Sequence, residues 1–166
     1  NRVIVDKGLK LLHNPKRIGI RAIMEVAGVL DKPLNASTIA FSIAPRLNAA
    51  GRLGSATTAV ELLLTNDESR ARELALLLDT ENKERQQTER QIFDEALELI
   101  AKDPNFEKKK VIVLAQENWH QGVIGIVASR LCDMYYKPCI LISHTNGVGK
   151  GSGRSIKGFN LFDALT

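Results

Sequence analysis

Hydrophobic and polar positions along the chain follow three patterns, which divide it into three parts. Residues 1–65 contain short apolar runs with helical spacing, separated by turn residues. Residues 67–102 contain neither Gly nor Pro and consist mainly of helix formers, so they predict one long helix with Asp67 as its N-cap. Residues 108–166 change to short apolar strands alternating with a helical run.

In the first part, the spacing predicts short helices over residues 3–12, 17–27, 36–41 and 56–64. Pro45 disfavours a helical backbone at the residue before it, so we expect Ala44 to be extended. Residues 44–53 should therefore lie between helices.

The predicted long helix is amphipathic only at its ends. The thirteen residues from Asp79 to Gln91 include no apolar side chain. A helix that is apolar at both ends and polar in the middle is typical of a connection between two bodies. A long coiled coil is the alternative, but the heptad pattern fails for nearly two repeats. At 1.5 Å per residue the helix would be about 50 Å long. Its apolar end positions are Leu74, Leu77 and Leu78, then Ile92, Phe93, Ala96, Leu97 and Ile100.

The last part predicts a lobe with strands and helices. Residues 110–115 and 138–143 are apolar enough for buried strands, and residues 122–134 favour a helix between them. A glycine-rich strand and a helix from Asn160 follow. The strand–helix–strand order predicts two parallel strands joined by a right-handed crossover. The predicted fold class is α/β: a helical end of a first lobe, a long connecting helix, and a second α/β lobe with a partly parallel sheet.

Charge is distributed unevenly along the chain, although its formal net value is only +4. Residues 61–107 hold 13 of the 19 acidic residues and 6 of the 23 basic ones. Residues 33–60 and 134–162 contain no Asp or Glu. Long acid-free stretches with arginines among small residues indicate a polyanionic partner such as nucleic acid.

Other features of the sequence exclude several classes of site. Cys132 and Cys139 form no CxxC pair, and the three His residues are scattered, which favours neither a disulfide framework nor a metal centre. A signal peptide and a membrane-length apolar run are both missing. We expect a cytoplasmic protein with no membrane partner. Because the chain starts at Asn1 and stops inside an apolar run, we expect a piece of a longer protein.

The segment GKGSGRS at residues 149–155 is the strongest candidate site. If it is extended, Lys150, Ser152 and Arg154 project from one face and the three glycines from the other. An ammonium, a hydroxyl and a guanidinium without a nearby carboxylate suit a phosphate. Bare glycine positions allow another backbone or a ligand to come close. A flexible loop with solvated cations is the alternative.

Two further segments carry similar chemistry. Arg46 and Arg52 would not share a face of a continuous helix, and they converge only if the chain turns, which Pro45, Asn48 and Gly51 each favour. Capping of local carbonyls is the alternative role for these arginines. In the segment WHQG at residues 119–122, His120 and Gln121 follow a strand and precede a helix, where phosphates and sugars bind. Trp119 of this segment would be either a core residue or a contact to the bound ligand.

Three of these segments together resemble the RecJ-type exonucleases, the bacterial single-strand-specific members of the DHH phosphoesterases. They are residues 44–52 (APRLNAAGR), 119–128 (WHQGVIGIVA) and 149–155 (GKGSGRS), and their order and spacing fit along essentially the whole chain. The resemblance implies a catalytic lobe that binds Mn²⁺ or Mg²⁺, a long helix and a DHH-associated lobe, with single-stranded DNA between the lobes. It also implies 5′→3′ degradation to mononucleotides in DNA repair and recombination.

The resemblance further implies roles for particular residues and regions. Ser152 and Arg154 would hold the 5′-terminal phosphate, with Arg46 or Arg52 facing them. Residues 1–65 would end the catalytic lobe, 66–103 form the connecting helix and 104–166 begin the DHH-associated domain. The other expected DNA or phosphate contacts are Asn48, His120, Gln121, Lys150 and Ser155.

Departures from the family pattern limit what the resemblance assigns. The Asp-His-His, Asp-x-Asp and Gly-Gly-His motifs do not occur in residues 1–166, so no catalytic residue or metal ligand is assigned here. We expect the metal ligands upstream, and we expect this chain by itself to bind no metal and to be inactive. Two alternatives stay open: a DHH phosphoesterase acting on short oligonucleotides or cyclic dinucleotides, and a non-catalytic nucleic-acid-binding homologue.

Overall fold

A computed structural model describes all residues from Asn1 to Thr166, which form two compact units. The first comprises residues 1–85 and the second residues 86–166. In chain order the elements are α1 (Arg2–Leu12), α2 (Ile18–Val26), α3 (Ala36–Thr38), a π-helical turn (Ile39–Ile43), α4 (Ala44–Leu53), α5 (Ala56–Leu64), α6 (Glu68–Ala101), a 3₁₀ turn (Phe106–Lys108), β1 (Ile112–Glu117), α7 (Ile124–Tyr135), β2 (Cys139–Thr145) and β3 (Val148–Arg154).

The first unit packs its helices around an apolar core. Met24 of α2, Leu62 of α5 and Leu78 of α6 are fully buried in one cluster. The backbones of α2 and α5 are so close that a Cβ at Gly19 would overlap the Leu62 carbonyl oxygen. The predicted apolar position Leu77, by contrast, is 46% exposed, because it lies outside the buried stripe of α6.

The prediction that the chain turns within residues 44–53 is wrong. These residues form α4, and Ala44 has helical rather than extended dihedrals. A π-helical turn precedes Pro45, and the Ala44 N–H donates to the carbonyl of Ile39. This wider turn, and the position of Pro45 in the first turn of α4, accommodate the proline ring and its missing N–H.

The predicted long helix is confirmed as α6, a single helix of 34 residues. Asp67 caps it as predicted, because its Oδ1 accepts from the Arg70 N–H at 3.0 Å. The polar middle is not solvated on all sides. Asp79, Asn82 and Arg85 recur at every third position and are 7%, 3% and 9% exposed. The middle of α6 therefore has a buried polar face.

The second unit contains a three-stranded sheet in the order β1–β2–β3. β1 is parallel to β2, and β2 is antiparallel to β3, so the predicted partly parallel sheet is confirmed. The hairpin between β2 and β3 turns at Asn146 and Gly147, which both have positive φ, as a tight hairpin requires. α7 packs against β2 and β3 with a buried apolar face.

The prediction of a helix from Asn160 is wrong, because residues 161–165 form only turns. The Ala164 N–H bonds to the carbonyl of Asn160 at 3.2 Å, and the Leu165 N–H to that of Phe162 at 3.0 Å. Isolated bonds of this kind do not repay the cost of nucleating a helix.

Candidate nucleic-acid interface

The side chains of β3 divide between the two faces of the sheet as the sequence predicts. Ser152 lies opposite Leu141 and Arg154 opposite Cys139, and both partners are fully buried. Residues directly opposite in an antiparallel pair share a face. Lys150 is opposite Ser143 on this same face, and its side chain is exposed. The glycines project to the other face.

Only one of the three glycines of β3 is closely approached. A Cβ at Gly153 would lie 2.6 Å from Cδ2 of Leu161, so the segment after β3 covers this position. Cβ atoms at Gly149 and Gly151 would make ordinary contacts of 3.4 and 3.5 Å with Ile142. Within the protein, another segment therefore comes close at Gly153 alone, and the close approach of a ligand at this glycine face stays a prediction.

The guanidinium of Arg154 is held by several neutral oxygens. Its Nε donates to Ser129 Oγ at 3.0 Å and its Nη1 to Ser152 Oγ at 3.2 Å. Nη1 also donates to the carbonyl of Gly153 at 2.6 Å. The positive charge is thus oriented by hydrogen bonds but is not neutralised by a carboxylate.

The ends of Ser152 and Arg154 lie against the first turn of α7. A Cβ at Gly125 would be 2.8 Å from Ser152 Oγ and 3.0 Å from Arg154 Nη2. The amino end of a helix carries a partial positive charge. A hydroxyl, a guanidinium and a helix amino end therefore meet at one place, a combination suited to an anion.

The WHQG segment forms the loop between β1 and α7. The Nδ1 atom of His120 accepts from the Gly122 N–H at 3.1 Å, and its carbonyl accepts from the N–H groups of Val123 and Ile124. A neutral imidazole with this bond carries its proton on Nε2, where it can be donated to a ligand. The side chains of His120 and Gln121 are exposed.

Trp119 is a core residue rather than an exposed contact. Its side chain is 4% exposed, and its indole Nε1 donates to Glu95 Oε2 on α6 at 2.7 Å. This bond fixes the start of the loop that carries His120 and Gln121.

Ser155 closes the turn that follows β3. Its hydroxyl donates to the carbonyl of Phe159 at 2.7 Å. The structure therefore gives Ser155 a local partner, and its expected phosphate contact stays a prediction.

In the first unit, Arg46 is bound within the protein. Its Nε donates to Asp79 Oδ1 at 2.8 Å, and its Nη1 donates to the carbonyl of Ser42. Asp79 also pairs with Lys83 at 2.8 Å. Burial alone would raise the pKa of Asp79, but Lys83 and Arg46 together hold it below its ordinary value. The Arg46 side chain is 18% exposed.

The other candidates of the first unit are at the surface of α4. Asn48 and Arg52 are both exposed. Because α4 is a regular helix, Arg46 and Arg52 lie on different sides of it, and the structure does not bring them onto one face. Their roles toward DNA stay predictions.

Sequence reasoning missed Gly125, Ser129 and Asp79. One signal could have found Gly125, because a glycine is unusual in the first turn of an apolar helix. Ser129 and Asp79 have no local signal, because their partners Arg154 and Arg46 are 25 and 33 positions away in the sequence.

The residues present do not fit a metal centre. No group of three or more His, Cys, Asp or Glu side chains is arranged to hold a metal ion. We therefore assign no metal ligand and no metal-dependent step to these residues. None of the helices combines the length and apolar character needed to cross a membrane.

Comparison with known proteins identifies the relatives of the chain. Residues 108–166 match the family model of the DHHA1 domain. The chain is 42% identical to the single-stranded-DNA-specific exonuclease RecJ of Bacillus subtilis (strain 168), over 100% of this chain and 21% of that protein. It is 39% identical to RecJ of Escherichia coli (strain K12), over 99% of this chain and 29% of that protein.

Solved structures give the same relationship. The crystal structure of RecJ from Thermus thermophilus in complex with Mg²⁺ matches with a TM-score of 0.85 and 37% identity, over 99% of this chain and 25% of that chain. A crystal structure of exonuclease RecJ bound to manganese matches with a TM-score of 0.82 and 37% identity, over 99% of this chain and 40% of that chain. The chain is therefore similar to the RecJ exonucleases over its whole length, as its three motifs predict, and its residues 108–166 match the model of the DHHA1 domain.

Proposed function

We propose that this chain is part of a 5′→3′ exonuclease specific for single-stranded DNA, which acts in the cytoplasm in DNA repair and recombination. Its own task is to bind the strand and its 5′-phosphate. The relatives that support this proposal are single-stranded-DNA-specific exonucleases, and the chain spans 21% to 29% of the length of those compared above. The observation that carries the proposal is the meeting of Ser152 and Arg154 at the first turn of α7.

The partners of Arg154 support phosphate binding. A planar guanidinium presents a fork of donors that matches two phosphate oxygens, and such charge-assisted bonds are stronger than neutral ones. The Arg154 fork is bound by the neutral oxygens of Ser129, Ser152 and Gly153. An incoming phosphate would therefore supply the negative charge that the protein does not.

Each unit also has further predicted contacts for the strand. We propose that Lys150, His120 and Gln121 bind phosphates or sugars in the second unit, since all three side chains are exposed. Arg52 and Asn48 are the exposed candidates of the first unit. We also propose Arg46 and Ser155 as contacts. Each has fewer polar groups to offer a phosphate, because internal hydrogen bonds already occupy part of them.

Hydrolysis would depend on Mn²⁺ or Mg²⁺ held by residues outside this chain. Crystal structures of the Thermus thermophilus relative contain Mg²⁺ or Mn²⁺. A bound metal of this kind lowers the pKa of a water molecule and stabilises the negative charge that develops on the phosphate. The residues of this chain bind and orient the strand. No observation favours the alternatives of a short-oligonucleotide phosphoesterase or a non-catalytic homologue.

The proposal is tested with the complete protein that contains these residues. Single-stranded DNA labelled at its 5′-phosphate is incubated with Mn²⁺, and a blunt duplex of the same sequence serves as the control substrate. We expect labelled mononucleotides from the first moments of the reaction on the single strand, loss of activity with a chelator, and little activity on the duplex. Equal digestion of both substrates, or release of label only at the end of digestion, would contradict the proposal.

A further inference from the structure

Ser129 of α7 orients the guanidinium of Arg154. The Ser129 hydroxyl donates its single hydrogen to the carbonyl of Gly125 at 3.2 Å and accepts from Arg154 Nε at 3.0 Å. Because the hydroxyl hydrogen is used within the helix, a lone pair of Oγ is turned to Nε. The rotation of the Arg154 side chain is thereby coupled to a regular helix rather than to a loop.

The hydrogen bonds of Arg154 leave one guanidinium nitrogen, Nη2, without a partner among them, and this nitrogen lies next to Gly125. Nε bonds to Ser129, and Nη1 bonds to both Ser152 Oγ and the Gly153 carbonyl. These contacts use three of the five N–H donors of a guanidinium. The remaining two are on Nη2, which lies 3.0 Å from the position a Cβ would take at Gly125.

Gly125 is buried, and the absence of a side chain lets Ser152 Oγ and Arg154 Nη2 lie against the first turn of α7. Any larger residue would put a carbon 2.8 Å from Ser152 Oγ and 3.0 Å from Arg154 Nη2, closer than carbon and polar atoms normally approach. The atoms it would displace are the ends of two flexible side chains, so the helix itself can accept the change. Alanine is also the better helix former. Helix stability therefore does not explain a glycine here.

We infer that Gly125 and Ser129 are positioning residues of the phosphate site: Ser129 sets the orientation of the Arg154 guanidinium, and Gly125, which has no side chain, lets Nη2 and the Ser152 hydroxyl lie at the first turn of α7, where they bind a phosphate oxygen. This inference rests on the phosphate-binding role proposed above for Arg154 and Ser152. It extends that site from β3 to the first turns of α7.

The test measures the selectivity of this chain for a 5′-phosphate. A short oligothymidylate labelled at its 3′ end is prepared with a 5′-phosphate or a 5′-hydroxyl, and the ratio of the two dissociation constants is determined. Gly125→Ala and Ser129→Ala should each weaken binding of the phosphorylated strand about 3- to 10-fold, the effect of one lost hydrogen bond. Binding of the 5′-hydroxyl strand should not change. Ser129→Thr, which keeps the hydroxyl, should retain the selectivity.

Two matched controls separate positioning from a general effect on helices. Gly8 lies in α1 with nothing within 4 Å of its Cβ position, so Gly8→Ala makes the same replacement in open space. The Thr80 hydroxyl donates to the carbonyl of Leu76 at 3.1 Å, the same spacing as the bond from Ser129 to Gly125. Thr80→Ala removes that bond where no guanidinium is attached. Both controls should keep the wild-type selectivity.

Measuring the same selectivity for Arg154→Ala distinguishes failure of the proposed phosphate role from failure of the positioning inference. If Arg154→Ala leaves the selectivity unchanged, the proposed phosphate role is wrong and the inference falls with it. If Arg154→Ala abolishes the selectivity while Gly125→Ala and Ser129→Ala behave like their controls, only the inference is overturned. Circular dichroism melts of each variant establish folding, and Ser129→Ala decides the matter should Gly125→Ala not fold.

Discussion

Arg46 and Arg154 both lie in acid-free stretches of the sequence, but the structure gives their guanidinium groups different partners. Arg46 is paired with Asp79, so its charge is largely neutralised inside the first unit. Arg154 binds only neutral oxygens, and its side chain is exposed. An anion therefore gains more from Arg154, where no carboxylate competes with it.

Replacing Arg154 by Lys tests the value of the fork. Arg154→Lys keeps the charge but cannot bond Ser129 and Ser152 while also offering a phosphate the two N–H groups that the guanidinium carries on Nη2. In the complete enzyme, kcat/KM on 5′-phosphorylated single strands should fall about 10- to 100-fold, the effect of losing a charge-assisted hydrogen bond. The thermal midpoint should change little. Unchanged kcat/KM would show that charge alone suffices and that the assigned geometry is wrong.

The two arginines of α4 should respond differently to removal. Arg52→Ala should weaken single-strand binding and lower its salt dependence by up to about one phosphate contact. Arg46→Ala leaves the buried Asp79 with Lys83 alone, so it should destabilise the protein by about 1–3 kcal/mol in urea unfolding. A salt titration of both variants decides whether Arg46 also contacts DNA. Identical salt slopes for Arg52→Ala and wild type would remove Arg52 from the site.

Among the elements, α6 departs most from an ordinary amphipathic helix. Its middle buries Asp79, Asn82 and Arg85, and it also carries Glu81, whose Oε2 is buried without a hydrogen-bond partner. Oε1 of the same carboxylate lies 2.6 Å from the Cβ position of Gly54. Burial, and to a lesser extent the charge of Glu84, raises the pKa of Glu81. An unpaired carboxylate in this position opposes folding.

The contribution of Glu81 to stability should depend on pH. Because its pKa is higher in the folded protein than in the unfolded chain, stability is lost as the pH rises through these two values. Glu81→Gln should therefore raise the thermal midpoint at pH 7, and the gain should shrink at pH 4. Melting curves of wild type and variant at both pH values make the comparison, with the exposed Glu107→Gln as control. An equal change at pH 7 and pH 4 would mean that the carboxylate charge has no part in it.

At the scale of the whole molecule, each compact unit contains one long acid-free stretch. Residues 33–60 include α4 in the first unit, and residues 134–162 include β2 and β3 in the second. Sequence-independent affinity for nucleic acid comes mainly from cations that replace counterions at phosphates. Binding of a strand is therefore a property that this chain can have without a catalytic centre.

The chain of 166 residues should accordingly bind single-stranded DNA without hydrolysing it. Affinity should fall steeply with salt, whereas incubation with 5′-labelled strands and Mn²⁺ should release no mononucleotides, since no cluster of ligands for a metal is present. The complete protein, with the exonuclease activity proposed above, is the positive control. Hydrolysis that co-purifies with the chain and disappears in Arg154→Ala would mean that a catalytic centre lies within these residues.

The sequence alone was sufficient wherever the deciding interactions are local. Period-two alternation placed Ser152 and Arg154 on one face of β3, and a stretch without Gly or Pro predicted α6. Such features follow from backbone geometry and from neighbours a few positions away, which the sequence lists directly.

Tertiary structure decided which partner each polar group has. Pro45 indicated a break, but a π-helical turn lets the helix continue, so Arg46 reaches Asp79 instead of sharing a site with Arg52. Gly125 and Ser129 meet Arg154 only because α7 packs across β3. Contacts between positions 25 to 33 apart depend on how whole elements pack. Residue spacing alone does not specify that packing, and for this reason the sequence revealed the chemistry of the site but not the residues that hold it in place.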